Sequence, residues 1–176
     1  TVGNDSINNN ILLAFYDKNF NVSSTNFLSI GGNRDEASKI IYDKAAGDRY
    51  IIGHTFNGGI TYSSGLITKL NSSNEIVWSK RFPQLNTHVK GTAASIVDLS
   101  GTKYIAVFFH LSPNLSGDFK GGALMLLDTS GAIIHTRDLR EIATDTSFFV
   151  NSIISGGEGT GKFFISGSTS KVDGSI

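Results

Sequence analysis

The chain has 176 residues, fifteen basic and fifteen acidic, with no cysteine. A formal charge of zero carries no electrostatic footprint for nucleic acid or an anionic membrane, and the lack of cysteine excludes both a disulfide framework and a thiolate metal site. At this length about 70% of the unfolded surface can be buried, enough for one domain with a real core.

Charged residues make up only 17%, prolines number two, and Gly, Ser, Thr and Asn are abundant, a makeup that suits many strands joined by polar turns. Met125 is the only methionine, so Thr1 is not a start-codon product; a removed leader or a window cut from a longer chain is expected. No apolar run approaches the roughly 18 residues of a membrane span, and membrane insertion is not expected. Asn21, Asn71 and Asn114 each open an Asn-x-Ser acceptor in an expected turn or loop.

Taken in order, the chain repeats itself. Leu12-Leu13-Ala14-Phe15-Tyr16-Asp17 aligns with Leu66-Ile67-Thr68-Lys69-Leu70-Asn71 and with Ala123-Leu124-Met125-Leu126-Leu127-Asp128, and the step from Asp17 to Asn71 nearly equals that from Asn71 to Asp128. The first copy predicts strands at 11–16, 25–30, 37–42 and 50–56. The second predicts them at 65–70, 76–82, 92–98 and 103–109, and the third at 123–127, 133–139, 148–154 and 162–168. These runs are β-branched and aromatic, are bounded by Gly, Asn, Asp and Ser, and nowhere hold a helical period. Helix should be nearly absent.

Turn chemistry supports the cuts. Asp128-Thr129-Ser130-Gly131, Asn71-Ser72-Ser73-Asn74, Ala46-Gly47-Asp48 and Leu99-Ser100-Gly101 all accept tight or left-handed backbone. The longer links, 57–64 and 111–122, fall at matching places in successive repeats. Twelve short antiparallel strands in units of about 55 residues point to an all-β chain, a β-propeller built of four-stranded blades. The third strand of a copy offers small residues suited to a crowded axis in Ala37-Ser38 and Thr92-Ala93-Ala94-Ser95, whereas the third copy opens with Phe148-Phe149.

The run Leu66-Ile67-Thr68-Lys69-Leu70-Asn71-Ser72-Ser73-Asn74-Glu75-Ile76-Val77-Trp78-Ser79 resembles the first half of the bacterial SBBP-type β-propeller repeat: an apolar strand, a tight turn and a Val-Trp-Ser strand. Gly31-Gly32-Asn33-Arg34-Asp35-Glu36-Ala37 with Gly53-His54-Thr55, and Ser166-Gly167-Ser168-Thr169, resemble its second half, although the second copy lacks the Gly-Gly-x-x-Asp segment. The resemblance covers nearly the whole of 1–176, read as a single propeller segment with repeats at about 11–56, 65–109 and 123–168. It carries no catalytic residue and implies a scaffold of large surface and secreted proteins.

By the same resemblance the third strand of a copy is innermost, so blades run from about 37 to 82 and from 92 to 139, and another begins at 148. The N-terminal pair is then the outer half of some blade. Three repeats fall short of the four to eight blades of a closed ring, so closure is expected through further chain or through oligomerisation, with six blades in a dimer.

Each candidate site has a plain reading beside it. Gly156-Gly157-Glu158-Gly159-Thr160-Gly161-Lys162 has phosphate-loop spacing, but Phe163 replaces the Ser or Thr and a strand follows where a helix is needed, so a glycine-rich hairpin is expected. Asp17-Lys18-Asn19-Phe20-Asn21 opens like a calcium loop yet lacks the following Gly and the closing Glu. His54, His88, His110 and His135 have no ligand spacing, and no Gly-x-Ser-x-Gly elbow supports a nucleophile. No metal or cofactor is implied. Trp78, in step with Ile76 and Phe82, is expected to pack between blades, with a sugar platform as its alternative.

The loops 31–35, 83–90 and 140–147 should share one face with the long links. They place Arg34, Asp35, Tyr62, His88, Lys90, Phe119, Arg140 and Asp145 near the mouth of the axis as candidate binding residues. The function expected is that of a non-enzymatic structural or adhesive module, extracellular or at the cell surface, which contacts protein partners or itself. A carbohydrate-binding propeller using Tyr62, Phe119 or Trp78 is the alternative, and an enzyme has the least support.

Overall fold

The computed structural model describes residues 10–30, 34–56, 62–83, 86–113, 121–139, 146–157 and 160–171. Twelve strands follow in order: β1 (Ile11–Tyr16), β2 (Val22–Leu28), β3 (Arg34–Asp43), β4 (Asp48–Phe56), β5 (Ser64–Leu70), β6 (Ile76–Phe82), β7 (His88–Leu99), β8 (Thr102–Ser112), β9 (Gly122–Leu127), β10 (Ile133–Asp138), β11 (Thr146–Ser155) and β12 (Phe163–Lys171). Among the described residues there is no helix, and hence none long and apolar enough to cross a membrane.

Every pairing is antiparallel, and the strands form four sheets: β1-β2, β3-β4-β5-β6, β7-β8-β9-β10 and β11-β12. Hydrogen bonding is therefore offset by two strands from the repeat as the sequence displays it. The two full sheets correspond to the offset units expected at 37–82 and 92–139. No sheet closes on itself among the described residues.

The tight turns repeat in atomic detail. Oδ1 of Asp17, Asn71 and Asp128 accepts the amide two residues on, at 2.7, 2.9 and 2.8 Å, and the amide four residues on, at 2.9 Å in all three. The fourth residue of each turn is left-handed: Phe20 at φ 64°, Asn74 at 65° and Gly131 at 83°. Asp17 thus engages its carboxylate with its own backbone. The amides of Asn21 and Asn19 hold its pKa below the ordinary value. Asn71, an expected glycosylation acceptor, is similarly engaged, with Nδ2 donating to Glu75 Oε2 at 2.8 Å.

A second device recurs in β3, β7 and β11. A bulge interrupts each pairing, between Ala37 and Lys39, Gly91 and Ala93, and Val150 and Ser152. An extra residue reverses which side chains face a given side. The structure starts β7 at His88, where the strand was expected from 92. It also corrects the loop assignment: Arg34 and Asp35 lie in β3, and His88 and Lys90 in β7.

The sheets stack face to face through three apolar layers. The central layer joins Tyr50, Ile52 and Ile67 of one full sheet to Val89, Val107 and Phe109 of the other. On the far side of the second full sheet, Val97, Ala106 and Phe108 meet Val150 and Ile153 of β11. On the far side of the first, Ile51, Leu66 and Leu70 meet Ile11 and Leu28 of β1-β2. At about 25 cal/mol per Å² of buried apolar surface, these layers hold the array together.

Phe109 shows how closely the layers interlock. A Cβ on Gly65 would lie 2.5 Å from its ring, and one on Gly91 would lie 3.1 Å from it. Only the missing side chains admit the phenyl group. Trp78 bridges the same two sheets: its ring lies 6.1 Å from that of Tyr50, and Nε1 donates to Thr129 O at 3.3 Å. The indole is half-buried between sheets, the packing role expected of it.

Candidate functional site

The polar and aromatic candidates gather at the end of the stack where β3 and β7 begin and β4 and β8 finish. Register sets the pairs: Arg34 lies opposite Phe56, Glu36 opposite His54, Lys90 opposite His110 and His88 opposite Ser112. The two full sheets are tied here by the Val89 amide, which donates to Ser63 O at 3.1 Å.

An aromatic chain crosses this end. Tyr62 lies 5.0 Å from His88, Phe56 lies 6.3 Å from His88, and His54 stacks edge-on against Phe56 at 5.4 Å. The Arg34 guanidinium sits over the Phe56 ring at 5.6 Å and pairs with Glu36, whose other oxygen lies 3.3 Å from His54 Nε2. Arg34, Tyr62 and His88 are thus brought together by two residues, Phe56 and Glu36, that were not among the candidates.

The histidines are neutral in this setting. Burial pushes His54 down to about 4, with Lys90, Arg34 and His88 reinforcing the shift and Glu36 opposing it. His110 is also lowered to about 4, by burial and then by Lys90, against a contrary effect of the Val150 backbone. Burial lowers His88 as well. Its Nδ1 accepts the Ser63 amide at 3.1 Å, which leaves a proton on Nε2.

Asp35 belongs to a different construction. It is buried, takes the Thr55 hydroxyl at 2.6 Å on one oxygen and the Ile30 amide at 2.9 Å on the other. Arg81 donates to Ile30 O at 2.9 Å, so Ile30 is held through both its amide and its carbonyl. Phe119, Arg140 and Asp145 lie outside the described residues.

A sequence signal linking two of the histidines existed. His54 and His110 stand one repeat period apart, and each follows the residue opposite the start of the bulge, Gly53 or Phe109. Read one at a time the histidines carry no spacing; read through the repeat they occupy one position. Among the described residues no group of three or more His, Asp or Glu side chains is placed to hold a metal ion. The Gly156 amide donates to Lys162 O at 2.9 Å and β12 begins at Phe163, the hairpin geometry expected there, with Glu158 and Gly159 outside the described residues. No family model matches the chain, and no curated protein matches it in sequence.

Proposed function

We propose that the chain is a non-enzymatic β-propeller segment that acts as a structural or adhesive unit of a surface or secreted protein, its stacked sheets serving as blades. The observation that carries this reading is the threefold bulged strand: β3 packs against β7 and β7 against β11, each the first strand of its sheet, so these strands run side by side. Such an order supports a fan of sheets joined at one edge, whereas a two-layer sandwich would bury only one face of each full sheet. Both faces of both full sheets carry buried apolar residues.

On this reading, contact with a partner is made by the end that carries Arg34, Phe56, Tyr62, His88 and Lys90. Loop-borne and strand-end groups on a rigid scaffold are the usual means of recognition. Imaging the particle in its native assembly tests the architecture: sheets radiating from one axis are expected, and a flat sandwich or a linear solenoid overturns it. A glycan array tests the alternative, in which a sugar ring stacks on Tyr62. Hits lost in Tyr62→Ala would replace protein contact with carbohydrate binding.

A further inference from the structure

The two full sheets are joined at Ser63, the residue ahead of β5, and at His88 and Val89, which open β7; all three are buried. Three hydrogen bonds cross from sheet to sheet here. The Ser63 amide donates to His88 Nδ1 at 3.1 Å, the Val89 amide to Ser63 O at 3.1 Å, and the Ser63 hydroxyl to Val89 O at 3.3 Å. The last two do not depend on a titratable group. The first does, because a backbone amide can only donate and so needs the lone pair of Nδ1. His54, by contrast, turns Nε2 to Glu36 within its own sheet.

A proton on Nδ1 removes that lone pair. Two donors then face each other across 3.1 Å in a buried setting, where an unmade hydrogen bond is costly. Ser63 Oγ lies 3.4 Å from Nδ1 and can accept from a charged ring, but a ring that turns to the hydroxyl abandons the amide. Around the imidazole stand Tyr62, His54 and, across Phe56, Arg34 with its partner Glu36. Lys90 and His110 form the cross-strand pair two residues further along β7. Among the described residues no carboxylate pairs with His88 to hold a proton there. The Tyr62 ring, 5.0 Å away, favours an imidazolium, yet burial prevails and His88 protonates below the ordinary 6.5.

We propose that Ser63 and His88 form a pH-sensitive joint between the two full sheets: the neutral ring holds it closed, and in mild acid the ring charges, releases the Ser63 amide and loosens the segment that leads into β5. The sign follows from linkage. A folded pKa below 6.5 means that the closed joint is fully stable above that value and weakens as pH falls from it towards the folded pKa. The Val89 amide and the Ser63 hydroxyl keep their bonds, so the response is a local opening and not separation of the sheets. The joint lies in the end assigned above to partner contact, yet neither its bonds nor its test depends on the sheets radiating from an axis.

Amide hydrogen exchange of the whole chain, read by NMR from pH 7.5 down to 5 and corrected for the intrinsic rate, tests the joint. Protection of the Ser63 amide is expected to fall by up to about tenfold per pH unit below 6.5, while Ile52 and Val107 of the central layer stay better protected throughout. In His88→Asn the side-chain oxygen can take the place of Nδ1 without titrating, so Ser63 protection should hold within about twofold over the same range. Nitrogen-15 shifts of the native ring are expected to show Nδ1 bare and Nε2 protonated at pH 7.5. A proton on Nδ1 at that pH overturns the proposal. So does a Ser63 amide that exchanges only together with Ile52 and Val107, or one whose decline persists unchanged in His88→Asn. Should circular dichroism show that variant unfolded, the native chain decides alone: a Ser63 decline that tracks the titration of the ring supports the joint, and one that does not removes it.

Discussion

Leu66 in an internal sheet and Leu12 in the N-terminal one hold the same place in the repeat, ahead of a turn of identical hydrogen bonding. Leu66 is fully buried and Leu12 is 55% exposed. Leu70 and Tyr16, the next equivalent pair, differ in the same way. Nothing local distinguishes them. What differs is whether another sheet stands behind the strand: Leu66 faces β1-β2, and Leu12 faces away from the stack.

The largest effect should come from the central layer. Phe109→Ala is expected to cost about 3–5 kcal/mol in urea unfolding, because the cavity it leaves is framed by Gly65 and Gly91, which have no side chains to collapse into it. Next, Leu66→Ala should cost about 2–5 kcal/mol. Leu12→Ala should cost well under about 1 kcal/mol. Equal costs for the two leucines would break the comparison. A cost near zero at Leu12 would sharpen it.

Acid should act on the internal sheets before the terminal ones. His54 and His110 have folded pKa values of about 4, below the ordinary 6.5, so the unfolded chain binds protons that the folded one refuses. Their neutral burial is compatible with folding above pH 6.5, and stability falls as pH drops from there towards 4, by on the order of 3 kcal/mol per histidine at most. Urea midpoints followed from pH 7.5 downward should decline in the native chain and flatten over that window in the double variant His54→Gln, His110→Gln. An unchanged slope would mean that both rings reach water. Asp43 acts in the same sense, at lower pH. Burial raises its pKa, but Lys103 and the amides of Ala46 and Ala45 outweigh this and leave it below 3.8. Its stabilising contribution is present above that value and is lost as pH falls through the folded pKa.

The smallest effect tests the turns. Phe20 is exposed at φ 64°, where Asn74 and Gly131 stand in the other copies, and a side chain in left-handed backbone costs roughly 1–2 kcal/mol. Phe20→Gly should raise stability, by about 1 kcal/mol or less once the added freedom of the unfolded chain is counted. A loss would show that the exposed ring is held by a contact.

Much of the fold could be read from residues alone because strands and turns are local. The apolar runs with polar bounds marked all twelve strands found among the described residues, and Asp17, Asn71 and Asp128 marked one turn three times. Reading stopped short at the bulges, where one extra residue shifts the alternation and hid His88 and Lys90 in an expected loop. The site was legible only in part for the same reason. Tyr62 and His88 are far apart in the register of any single strand, and their 5.0 Å contact exists because one sheet stacks on the next.

The amino-acid order alone determined where the backbone extends and where it reverses, since β-branched runs and left-handed turn residues act over a few neighbours. The offset of the sheets by two strands from the visible repeat was implied only by the resemblance, and only the tertiary structure decided which equivalent leucine is dry. Pairing and stacking depend on what lies across the sheet and behind it, and no short window of sequence contains those neighbours.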